Sequence, residues 1–198
     1  MEKIKLSDLL NFHEYERIRP EKVEEVIKLK RKRRLRVGPL VSLIFENYET
    51  VWFQIQEMIR AEKLLREEDL RNVMEAYKDM IPDRNQLSAT MFIEIPEEER
   101  RNELLPKLVG IHERVYLIVG DRHRVKGVSG PESAVDYSTG RASTVHFLRW
   151  TLTEEQVEAF AREPVRVFVD HEHYRAEAEV PPQVKEELLR DLNKEEER

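Results

Sequence analysis

Residues 87–96 read Leu-Ser-Ala-Thr-Met-Phe-Ile-Glu-Ile-Pro, and their alternation divides the chain in two. Leu87, Ala89, Met91, Ile93 and Ile95 fall on one side of an extended backbone, and Ser88, Thr90, Phe92 and Glu94 on the other. That is the period of two that a strand requires. Upstream the apolar spacing is helical, and downstream it is mostly strand-like. Val51, Trp52, Ile55, Met58 and Ile59 form one helical stripe behind Asn47, a good N-cap. Other helices are expected from Pro20 to about Arg34 and from Glu67 to Met80, with a short strand at Leu40 to Phe45. After residue 96 a charged helix over 97–108 precedes strands at 114–119, 124–128 and 143–150. Thr153 with Gln156 makes a capping box for a further helix. Residues 165–170 and 174–180 then read as a hairpin, and Pro181-Pro182 opens a last helix. The polar stretch 129–141 reads as a long loop, a length that is often functional.

The expected fold is therefore α+β: a mainly antiparallel sheet of about five to seven strands, helices packed on one face, and a helical N-terminal region. Residues 1–198 are expected to form a single domain, mainly helical over 1–85 and sheet-rich with a C-terminal helix over 86–198.

Composition narrows the chemistry. Hydrophobic residues make up 40% of the chain, enough for a core at this length, and charged residues 37%, an excess that resembles proteins from hot environments. With no cysteine, disulfides, thiolate nucleophiles and Cys-ligated iron–sulfur clusters are excluded. A transition metal would have to use histidine, carboxylate or backbone oxygen. No secretory signal or membrane-length apolar run is present, so a cytoplasmic protein is expected.

Two candidate surfaces follow from the residues. Phe45 to Lys63 carries Gln54, Glu57 and Arg60 at three-residue steps, with Glu46 just ahead, where interchangeable charges would be ordinary. The functional reading is a wall that contacts a small ligand or a partner protein; the bland one is ion pairing within the helix. His146 and Arg149 lie on the strand at 143–150, His146 on the face of Leu148 and Trp150. If the hairpin 165–180 lies beside that strand, His146 and His171 approach, and Glu46 or Glu57 completes a metal site. A satisfied core histidine is the competing reading. Separately, Lys28, Lys30, Arg31, Lys32, Arg33, Arg34 and Arg36 cluster in an otherwise acidic chain: residues 1–38 carry +5 of a net −6. Counterion release would reward such density on nucleic acid, but no interleaved aromatic is there to stack on a base. Nucleic acid is thus the less favoured partner.

Five segments carry a resemblance: residues 13–21, 45–62, 87–96, 144–160 and 170–180, in order across nearly the whole chain. They resemble the uncharacterised bacterial family known as domain of unknown function 3501. The resemblance implies a redox setting, with family members encoded near rubrerythrin-type and iron–sulfur proteins, and it brings no reaction. In Asp170-His171-Glu172-His173-Tyr174 the family pattern keeps the aspartate, the first histidine and the tyrosine. A metal site is then expected not to depend on His173, and Tyr174 joins the candidate ligand- or partner-binding residues. Because the loop before Ser143 varies in the family, the shared function is expected elsewhere. The leading expectation is an accessory or binding protein of a redox system, with a metal-dependent enzyme or carrier as the alternative.

Overall fold

A computed structural model describes residues 3–130 and 134–193. Nine strands and seven α-helices are present among them. The architecture is α+β and wholly antiparallel, with the strands divided between two sheets. The first sheet joins β1 (Arg34–Val37), β2 (Val41–Glu46), β3 (Gln86–Ile93), β7 (Val145–Thr151) and β6 (Val128–Ser129), in the order β1-β2-β3-β7-β6. The second joins β4 (Val115–Val119), β5 (His123–Lys126), β8 (Val165–His171) and β9 (Tyr174–Glu179), in the order β5-β4-β8-β9.

β3 is the central strand of the first sheet, and both of its faces are buried. Leu87, Ala89 and Met91 share one core with Leu43 and Phe45 of β2, Trp150 of β7, and Leu117 and Val167 of the second sheet. On the opposite face, α2 (Tyr48–Glu62) and α3 (Glu67–Tyr77) contribute Val51, Ile55, Ile59 and Met74 to a second core, against which Phe147 packs. The first sheet is therefore the middle layer, between helices and the second sheet. This explains why Ser88 and Thr90 are buried although they alternate with apolar residues. Each needs an internal partner: Ser88 donates to the Met80 carbonyl and Thr90 to the Glu46 carboxylate at 2.6 Å.

α1 (Phe12–Arg31) departs from the expected start at Pro20. Asn11 caps it by accepting from the Glu14 N–H, while Glu14 reaches back to the Asn11 N–H. Pro20 thus lies in the interior of the helix, on an exposed position. Tertiary contacts hold both sides of it: Tyr15 and Arg19 bond to Glu57 on α2, and Val26 is buried. The helix at 97–108 divides into α4 (Glu98–Leu104) and a 3-10 turn. Within the stretch expected to be a loop, residues Ala134–Thr139 form the short helix α5. The capping box at Thr153 opens α6 (Glu154–Arg162), and α7 (Pro182–Leu192) closes the described fold. No helix among the described residues is long and apolar enough to cross a membrane.

Candidate metal centre

Three elements meet at the end of the middle layer. His112 comes from a 3-10 turn, Ile111–Arg114, that leads into β4. Asp136 comes from α5, and His146 from β7, on the inward face with Leu148 and Trp150. Strand alternation aims His146 inward, as the sequence indicated. His112 and Asp136 are fully buried and His146 is 2% exposed. One donor atom from each lies within 4.8 Å of the other two. His112 Nδ1 stands 3.2 Å from Asp136 Oδ2, and His146 Nε2 stands 3.7 Å from the same oxygen. The two imidazoles stack with centroids 4.8 Å apart and planes at 19°.

The hydrogen bonding of this cluster is incomplete. Asp136 Oδ1 accepts from the Ser143 N–H at 2.7 Å, and His146 Nε2 lies 2.8 Å from the Ser143 carbonyl. Among the described residues, both nitrogens of His112 and Oδ2 of Asp136 find no hydrogen-bond partner. The 3.2 Å contact between Nδ1 and Oδ2 is close but not aligned as one. Each unsatisfied buried polar atom costs about 1–3 kcal/mol, so three together call for a compensating partner. Two imidazoles and a carboxylate are a donor set suited to zinc, iron or manganese. With bonds of about 2.0–2.2 Å, neighbouring ligand atoms stand roughly 3.0–3.5 Å apart; the 3.2 Å contact meets this, while the 3.7 Å contact and a set spanning up to 4.8 Å would have to tighten around an ion. The Ser143 carbonyl, 2.8 Å from His146 Nε2, is placed to add an oxygen as a fourth ligand; ligation through His146 Nε2 would replace its hydrogen bond to that carbonyl.

A cleft of about 520 Å³ lies beside the cluster. Its wall includes Glu113 and Tyr137, the chain neighbours of His112 and Asp136. Tyr137 meets His112 edge-on, with centroids 6.2 Å apart. Partial desolvation, then the neighbouring Glu113 carboxylate, push the Tyr137 phenol above its ordinary pKa. Gly110 has φ of +82°, and a Cβ there would stand 3.0 Å from the Tyr137 hydroxyl, so both backbone and space favour glycine.

The expected pairing of His146 with His171 does not form. His171 is the last residue of β8 and faces the cleft, where its Nε2 lies 3.1 Å from the Val109 carbonyl. Its Nδ1 accepts from the His173 N–H at 3.2 Å, so neither ring nitrogen is free to ligate. The sheet order accounts for the separation: β8 belongs to the second sheet and β7 to the first. Glu46 is also elsewhere, facing the helices, where Thr50 donates to it at 2.5 Å and Thr90 at 2.6 Å.

The polar side of α2 is the seam with α1. Glu57 accepts from Tyr15 at 2.7 Å and from Arg19 at 2.8 and 2.9 Å. The Arg19 hydrogen bonds are the largest cause holding its carboxyl below the usual range. Arg60 pairs with Glu16, and Gln56 accepts from the Leu10 N–H at 3.1 Å. Gln54 is half-buried. Arg149 is half-buried, opposite Ser88 on β3 and Val128 on β6. Tyr174 is a structural latch: its hydroxyl donates to the Val37 carbonyl at 2.5 Å and accepts from the Leu40 N–H at 3.2 Å.

The basic cluster is dispersed. Arg33 is 1% exposed and pairs with Glu187 and Asp191 of α7. Arg34 and Arg36 lie on β1 and share Glu94. Lys28, Lys30, Arg31 and Lys32 remain together at the end of α1. Neither His112 nor Asp136 was among the sequence candidates. The only signals were a histidine between Ile111 and Val115, and the length of the 129–141 stretch, which was expected not to carry the function.

Residues 3–192 match the family described as Protein of unknown function (DUF3501). The search of curated proteins gave no match. A solved structure, a novel protein of unknown function from Burkholderia pseudomallei K96243, is 32% identical, with a TM-score of 0.89. The alignment covers 96% of this chain and 100% of that one. The chain belongs to the DUF3501 family.

Proposed function

We propose that this chain is a metal-dependent protein that holds one divalent transition-metal ion between His112, Asp136 and His146. The observation that carries the reading is the set of three buried, unsatisfied donor atoms on His112 and Asp136, converging with His146. An ion would satisfy them together, and two nitrogens with one carboxylate would leave it further coordination positions. The cleft behind Tyr137 and Glu113 favours an enzyme over a carrier, because a small molecule could stand beside the ion. The ion would supply Lewis acidity or a one-electron centre. A ferrous or manganous ion would join the chain to the redox setting that the family resemblance implies, whereas zinc would not.

Elemental analysis of protein purified without an affinity tag tests this. About one equivalent of iron, manganese or zinc is expected. After chelation, restoring that ion to about 100 times its Kd should raise stability by about 2.7 kcal/mol. Less than about a tenth of an equivalent, with no thermal shift from any of these ions, would contradict the proposal.

A further inference from the structure

The 520 Å³ cleft is within the range of small-molecule sites, roughly 300–1,000 Å³. Its charged groups differ in what they already hold. Asp170 is shared by Arg124 at 3.1 Å and Arg175 at 3.4 Å. Arg175 also lies over the Phe168 ring. His171 is engaged by Val109 and His173. Among the described residues, Arg114 is the lining arginine that makes no ion pair. On the inner side, His112 Nε2 is buried, makes no hydrogen bond, and lies 3.9 Å from Glu113 Oε1 at the cleft wall. The cover over this point is the Tyr137 ring, which is itself 56% exposed.

We propose that the cleft takes a small carboxylate-bearing molecule, anchored by Arg114 and brought to the buried centre when the Tyr137 ring swings aside. This rests on the metal reading, because the ion supplies the positive charge behind the cover. Arg114 gives a planar pair of donors for the carboxylate, and the centre gives the second attraction.

The test uses the full chain loaded with cobalt(II), titrated with malonate and, separately, with inorganic phosphate. Malonate is expected to bind in calorimetry and to change the visible cobalt absorption. Arg114→Ala should weaken that binding about tenfold or more while leaving cobalt affinity unchanged. A response to phosphate alone would support the same anion site with a phosphate-bearing ligand. Cobalt bound at one equivalent with no response to either anion, or an Arg114→Ala protein that responds like the parent, would overturn this inference and leave the metal reading intact. Failure to bind cobalt would remove both.

Discussion

Arg33 shows how much one side chain can hold. Its guanidinium donates to the Phe45 carbonyl at 2.7 Å and the Glu46 carbonyl at 3.2 Å, and it pairs with Glu187 and Asp191. It fastens the turn after α1 to β2 and both to α7. Arg33→Ala would take the guanidinium away from buried Asp191 and leave Glu187 with only Arg190, at 3.1 Å, and is expected to cost about 3–5 kcal/mol in urea unfolding. A loss under about 1 kcal/mol would contradict the assigned role. Nothing local separates Arg33 from its neighbours in Arg31-Lys32-Arg33-Arg34, because its acidic partners lie more than 150 residues later. The same reason hid His112 and Asp136. Their chemistry arises from a meeting of distant segments. His146 was legible because strand alternation alone turns it inward.

At the scale of elements, local signals were the readable ones. The Thr153–Gln156 capping box and the 165–180 hairpin are both complete within a few residues, and both form. Pro20 misled for the opposite reason. Proline suits a first helical position, but here the cap is Asn11, and contacts of Tyr15 and Arg19 with α2 carry the helix through. Pro20 leaves the Glu16 carbonyl without its helical donor, a penalty of up to ~3 kcal/mol in a helix interior. Since Pro20 is exposed, Pro20→Ala should stabilise the protein, by about 1–2 kcal/mol in thermal or urea unfolding. A destabilised variant would mean that the proline shapes the α1–α2 seam. α5 was illegible: six residues in a polar stretch carry no helical periodicity, and what makes this segment matter is Asp136 reaching the core.

For the whole molecule, the α+β class and antiparallel pairing could be read from the alternation beginning at Leu87. The division into two sheets could not, because strand partners are chosen by long-range packing. That division decides the site. By placing β8 in the second sheet it turns His171 to the cleft, and it leaves His146 to meet the turn before β4 and the helix after β6. Equilibrium dialysis of tag-free variants against zinc, manganese or ferrous iron tests this arrangement most directly. The account predicts about one bound ion for the parent and for His171→Ala with His173→Ala, with affinity reduced about 100-fold or more in His112→Ala, Asp136→Asn and His146→Ala. Ion binding that survives loss of His112 and Asp136 but disappears with His171 would contradict it.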